Sequence, residues 1–271
     1  MILRLRQRAA RSGVAAVSVV TCLLVVAFAV RTENVAASPH AQPPASAGSD
    51  AKEAVTPAGS DGGGLSNCPA GMVRVHGEHC EDAEFRCLRW LDPPPYQNLR
   101  CAEYAEPATC KGKRTHMSFC IDREEHREAD SNLPRVNVSY LEAKAACTAE
   151  GKHLCREAEW EFACEGPELR PYPYGFTRQS TTCNIDRTGL GGKDGKLRDL
   201  RAPLEAYPKC LSPFGVHNMT GNADEWVERD GPHRSVLRGG WWLPGRNRCR
   251  AATAEHGEGY SASQVGFRCC L

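Results

Sequence analysis

The sequence predicts an α+β domain with little regular secondary structure, held together by disulfides. Three observations predict it. Only two helix signals occur, next to each other between residues 139 and 166. Short strand-like segments near 72–75 and 235–242 are separated by long stretches of Gly- and Pro-rich chain without periodicity. Fourteen of the fifteen cysteines stand beyond residue 67. A scaffold with so few hydrogen-bonded ladders needs cross-links or ions to hold it.

At the amino terminus Arg4, Arg6, Arg8 and Arg11 precede an uncharged, mostly apolar run from Gly13 to Val30. At 1.5 Å rise per residue that run is about long enough to span a bilayer, and its positive flank predicts export of everything after it. Residues 1–31 therefore read as a signal or anchor segment. Val35-Ala36-Ala37 has the small residues of a signal-peptidase site, so cleavage and retention both stay open. Residues 32–67 are rich in Ala, Pro, Gly and Ser, lack aromatics, and cannot bury enough apolar area to order themselves; they form a tether. The domain is then 68–271, one core in extent, with a cysteine-rich insertion at about 78–115.

Within it, alternating Met72, Val73 and Val75 predict a first strand. Pro93-Pro94-Pro95 rules out regular structure in the middle of the insertion, where Trp90 is expected as a packing anchor. Ser139-Tyr140-Leu141-Glu142 is a capping box, so a helix starts near Tyr140 and stops at Gly151. A second helix runs from about Arg156 to Glu165, with Trp160, Ala163 and Cys164 on one face and Gly166-Pro167 ending it. Cys155 takes its capping place. Pro173-Tyr174-Gly175 is a turn.

The cysteine count beyond the apolar run is even and high, which means disulfides formed in an oxidising, extracytoplasmic compartment. No paired CxxC spacing points to zinc. The adjacent Cys269 and Cys270 are expected in different bridges, and Cys183 is matched to Cys210. Thirty-four basic residues against 33 acidic ones leave a net charge of +1, so neither nucleic acid nor an anionic membrane surface is an expected partner. No GxSxG, dinucleotide-binding or phosphate-loop pattern occurs, and the nine histidines show no HxxxH spacing.

The densest chemistry lies in Gly215-Val216-His217-Asn218-Met219-Thr220-Gly221-Asn222-Ala223-Asp224-Glu225-Trp226. Asn218 and Glu225 side-chain oxygens, with carbonyls near Gly221 and Ala223, could surround a hard cation such as Ca²⁺, which takes six to eight oxygens. An Asn/Gly turn anchored by a buried Trp226 accounts for the same residues. The glycosylation pattern at Asn137 and Asn218 is discounted, since one precedes a helix cap and the other is a candidate ligand.

GVHNMTGNADEW, the strand-like SVLRGGWW and the terminal VGFRCC resemble the sulfatase-modifying-factor, or formylglycine-generating-enzyme, domain family. NVSYLEAKAACTAEGKHLCREAEWEFACEGPE, PYPYG and HMSFCIDREEHR extend the resemblance over about 68–271. It implies an irregular C-type-lectin-like fold, bridges Cys147–Cys269 and Cys164–Cys249, and two structural calcium sites. One takes Asn218, Gly221, Ala223 and Glu225. The other takes Asn184, the Ile185 carbonyl and an aspartate that is either Asp194 or Asp199. The family's oxidases carry two cysteines, five apart, after this strand to bind Cu(I), a soft ion that needs thiolates. Here no cysteine lies between Gly240 and Arg248, and Trp241 replaces the family's serine. No catalytic residue is therefore assigned and copper is not expected. The family's iron-dependent relatives draw three histidines from a helical domain for which no counterpart is present in this sequence.

The expectation is non-catalytic recognition of a peptide or glycan by a groove at Trp241, Trp242 and Arg246. The alternatives are a metal-dependent oxidoreductase using other ligands and a structural envelope protein.

Overall fold

The computed structural model describes residues 67–96 and 99–271. The apolar run at 13–30 and the tether up to residue 66 lie outside the described residues. Among the described residues no helix is long and apolar enough to cross a membrane.

Twelve short strands and two helices follow one another as β1 (Met72–Cys80), β2 (Ala83–Glu84), β3 (Cys87–Trp90), β4 (Cys101–Tyr104), β5 (Thr109–Cys110), β6 (Arg114–Asp122), α1 (Tyr140–Ala149), β7 (His153–Leu154), α2 (Glu157–Glu165), β8 (Asp224–Glu228), β9 (Ser235–Arg238), β10 (Ala252–Thr253), β11 (Val265–Phe267) and β12 (Cys269–Cys270). One four-stranded sheet has the order β1-β6-β12-β7 and the other β10-β9-β8-β11; β2 pairs with β5, and β3 with β4. Among the described strand pairs only β8 and β11 run parallel. Everything between residues 166 and 223 is turns and isolated bridges, as the missing periodicity predicts.

Local signals place the helices well. The Ser139 hydroxyl accepts from the Glu142 N–H while the Glu142 carboxylate accepts from the Ser139 N–H, and Gly151 follows with φ +70°. For α2 the cap is Arg156 rather than Cys155, because the Glu159 carboxylate accepts the Arg156 N–H at 2.8 Å and fixes the first turn one residue later. Cys155 is bridged to Cys270 instead. The strand expected through 235–242 stops at Arg238, where Gly239 and Gly240 turn at φ +88° and +71°. A second correction concerns Trp90, which is 40% exposed on the two-stranded β3–β4 sheet rather than buried as an anchor.

All fourteen cysteines of the domain are paired. Cys147–Cys269, Cys164–Cys249 and Cys183–Cys210 are among the bridges, and Cys269 and Cys270 go to different partners. One core cluster gathers Val75, Phe119, Ile121, Trp160, Phe162, Val227 and Val236; another gathers Tyr140, Leu154, Trp226, Leu237 and Phe267.

Helix α2 is buried from Glu159 to Glu165 on all sides. Its carboxylates at Glu157, Glu161 and Glu165 recur every fourth residue and share one face. Buried charges require partners, and three arginines distant in sequence supply them, Arg238 from the end of β9 and Arg229 and Arg250 from the segments beside β8 and β10. Arg229 and Arg238 hold Glu157, Arg238 holds Glu161 at 2.7 Å, and Arg250 holds Glu165 at 2.7 Å. Burial by itself would raise the Glu157 pKa, but the two guanidiniums outweigh it and hold it below the ordinary 4.5. A depressed folded-state pKa contributes stability that is complete above the unfolded value and is lost as pH falls through the folded one. Melting temperature should therefore fall as pH drops below about 4.5, and Glu157→Gln should flatten part of that decline; an identical acid profile in the variant removes Glu157 from the explanation.

Candidate functional site

The loop between Gly215 and β8 is curled by three left-handed residues, Asn218 (φ +55°), Gly221 (φ +83°) and Asn222 (φ +59°). Asn tolerates that region and glycine enters it freely. Gly221 is further constrained by space, since a Cβ there would lie 2.4 Å from the Asn184 carbonyl oxygen and 2.5 Å from a methyl of Ile185. The two stretches singled out as ion sites are thus packed against each other. The Asn222 N–H donates to the Asn184 carbonyl, and the Asn184 amide donates to Asn222 Oδ1.

Two buried carboxylates organise the loop. Glu225 is held by Arg268 through two bonds of 2.7 Å and by the Trp160 indole N–H at 2.8 Å. Glu125, just past β6, accepts from the side-chain amides of Asn218 and Asn222 and from the Ala223 N–H. Burial and the neighbouring Glu225 charge push the Glu125 pKa up to about 8. Trp226 is fully buried and donates to the Val138 carbonyl at 2.9 Å, anchoring the loop from the core. Sequence reasoning missed Glu125 and Arg268. Both lie in short strand-end segments whose pattern does not distinguish a buried charge from a solvated one.

The two candidate calcium sets differ in fit. Asn218 Oδ1 is buried and accepts no hydrogen bond, and Glu225 Oε1, which accepts only from Arg268, keeps lone-pair capacity, whereas Oε2 already accepts from Arg268 and Trp160. That set, with the Gly221 and Ala223 carbonyls, suits an oxygen-seeking cation. In the other set the Asn184 Oδ1 accepts from Arg187 at 2.8 Å and the Asn184 carbonyl from Asn222. Asp199 pairs with Arg201 and Asp194 with the Lys196 N–H; among the described residues no hydrogen bond joins either to Asn184. Nor do three His, Cys, Asp or Glu side chains gather there closely enough to hold a metal by themselves.

Beside the loop lies a cavity of about 270 Å³ lined by Asp224, Leu237, Gly240–Asn247 without Trp242, Ala251–Thr253 and Leu99. Trp241 and Arg246 line it as expected. Trp242 does not: it is fully buried in the interior, with its ring edge-to-face against Trp241 at 5.1 Å between centroids. Asp224 Oδ1 accepts the Gly240 N–H at 3.0 Å. Burial, reinforced by Glu225, pushes the Asp224 pKa up to about 7 against the opposing pull of the Gly240 N–H and Arg246. The cavity wall carries no thiol, and Cys249 just beyond it is bonded to Cys164.

The family described as sulfatase-modifying factor enzyme 1-like domain matches residues 94–271. The chain belongs to this family. Relatives of this sulfatase-modifying-factor domain include the mouse formylglycine-generating enzyme, 32% identical over 171 residues, covering 51% of this chain and 44% of the relative. The mouse inactive Cα-formylglycine-generating enzyme 2 is 33% identical over 151 residues, 51% and 48% of the two chains. The hercynine oxygenase of Mycobacterium tuberculosis is 32% identical over 152 residues, 54% and 33%. The chain spans less than half the length of these relatives. Among solved structures CarF superposes with a TM-score of 0.50 at 16% identity, covering 74% of this chain and 98% of that one. The fold is thus of the C-type-lectin-like kind that the sequence resemblance implies.

Proposed function

We propose that this chain is an exported sulfatase-modifying-factor-like domain that recognises a peptide or glycan in the cavity beside Trp241 and does not generate formylglycine. The observation carrying the reading is the thiol-free wall from Gly240 to Arg248, followed by a cysteine committed to the Cys164–Cys249 bridge. Two-thiolate copper chemistry has no donors there. An inactive member among the relatives supports the idea that the fold persists without the reaction.

In this reading Asn218, Gly221, Ala223 and Glu225 hold a structural Ca²⁺, whose charge offsets the excess of carboxylate over guanidinium around Arg268. The ion cross-links the loop and takes no part in chemistry. Residues 1–31 hold or have directed the domain outside the cytoplasm, in an oxidising compartment that keeps its seven disulfides stable.

The test incubates the oxidised protein with Cu(I), oxygen and a cysteine-containing peptide, and measures metal content and melting with and without Ca²⁺. We expect no aldehyde, no bound copper, and a melting temperature raised by Ca²⁺ in the wild type but not in Asn218→Ala. That variant is preferable to Glu225→Ala, which would also strand Arg268. Aldehyde formation, or stoichiometric copper or iron after purification, overturns the non-catalytic reading. A melting curve indifferent to chelator removes the ion.

A further inference from the structure

We propose that the disulfide-closed hairpin β3–β4 is the specificity-setting wall of the cavity, and that Leu99 on it selects ligands presenting a bulky apolar side chain on a peptide. The inference rests on the recognition reading above and assigns it a ligand class. Every cavity-lining residue but one comes from position 224 or later; Leu99 is the exception. It stands just before β4, where its N–H closes a turn to the Tyr96 carbonyl and the Cys87–Cys101 bridge ties the two arms of the hairpin.

The hairpin is fastened to the opposite wall by a relay of charges. Arg100, adjacent to Leu99, grips Asp92 across the hairpin and reaches Asp186 at 3.4 Å. Asp186 is held by Arg178 through two bonds of 2.8 Å. Arg178, with a side chain 3% exposed, donates in turn to the Gly245 carbonyl and to Asn247 Oδ1 at 3.0 Å, both on the cavity loop. Backbone bonds from Arg178 to Ala102 and from Tyr104 to Phe176 sew the same strand down. A flexible insertion needs no such fastening, while a wall that must hold a fixed distance from Trp241 does.

The lining favours a side chain over a sugar. Leu99, Leu237, Leu243, Pro244 and Trp241 supply apolar surface. Asn247, the amide best suited to reading hydroxyls, is already engaged, its oxygen by Arg178 and its nitrogen by the Trp241 carbonyl. The second oxygen of Asp224 accepts no hydrogen bond among the described residues and suits a main-chain N–H. Beyond Leu99 the hairpin carries Leu88, Trp90, Leu91 and Tyr96 exposed, continuing the apolar character outward.

The experiment probes the full chain, disulfides intact, on a degenerate peptide array and on a glycan array, with melting curves for every variant. The wild type should enrich peptides with one large apolar residue. Leu99→Ala should shift preference by at least tenfold toward Phe and Trp over Leu, and Leu99→Trp should lose binding at least tenfold. Arg100→Gln should broaden the accepted side chains, with Arg100→Lys restoring the profile, while Leu141→Ala on the exposed face of α1 changes nothing. Peptide binding unaltered by either Leu99 variant overturns the wall and leaves recognition standing. Glycan binding without peptide binding overturns the ligand class alone. Silence on both arrays overturns this proposal and the recognition reading together.

Discussion

Replacing Arg268 with Met should lower the melting temperature by the order of 10 °C. Arg268 is fully buried, and its guanidinium neutralises Glu225 while donating to the carbonyls of Asp122, Arg123 and His217. Removing one partner of a buried ion pair strands the other charge, which typically costs about 3 to 5 kcal/mol; each kcal/mol moves the midpoint of a domain this size by about 2 to 4 °C. Desolvation is what makes the loss large, since the same pair at the surface contributes about 1 kcal/mol or less. Glu225→Gln in the same background should recover part of the loss by removing the stranded charge. Thermal melts of the two single variants and the double variant decide it. If Arg268→Met melts within a couple of degrees of wild type, Glu225 is neutralised by something other than this arginine.

The second large effect concerns a pair of bridges that close nearly the same loop. Cys147–Cys269 spans 122 residues and Cys155–Cys270 spans 115, with ends only eight and one residues apart. Because Cys164–Cys249 already bridges 85 of those residues, the first of the two closes a path of about 40 residues, worth about 4 kcal/mol in the chain-entropy description, while a second bridge beside it closes only about ten more, which the same expression puts near 3. Either pair replaced alone by Ala should cost about 3 kcal/mol, because the other still closes the long loop. Both replaced together should cost about 7, exceeding the sum of the singles by about 1, and should leave no folded domain at physiological temperature. Denaturant unfolding of the three variants is the measurement. Strict additivity would mean that the unfolded chain does not feel the long loop, and the entropic account would fail.

The helices were legible because their signals are local. A capping box and a glycine stop need only neighbouring residues, and Ser139, Glu142 and Gly151 behave as their chemistry dictates. The strands were legible only in part. The Gly239-Gly240 pair ends β9 four residues before the sequence pattern stops looking strand-like, since apolar residues continue while the backbone has turned. Trp90 shows the opposite failure: an aromatic among cysteines suggests packing, yet the aromatic cluster under the hairpin gathers Tyr104, Tyr172 and Tyr174 and leaves Trp90 40% exposed. For the candidate site, the loop from Asn218 to Trp226 stood out by composition, but its organisers Glu125 and Arg268 are 93 residues before Asn218 and 43 after Glu225.

Motif order and cysteine count were properties of the sequence alone, and they were enough to point to the family, to an oxidised disulfide-rich domain and, through the resemblance, to the Cys147–Cys269 and Cys164–Cys249 bridges, whereas the Cys68–Cys120, Cys80–Cys110, Cys87–Cys101 and Cys155–Cys270 pairings were not legible. Which indole faces the cavity, which carboxylates are buried, and that the hairpin's Leu99 closes the pocket were decided only in three dimensions. The physical reason is range. Caps, turns and periodicity act between residues a few positions apart, whereas burial, ion pairing and cavity shape depend on segments that meet only after the chain has closed on itself.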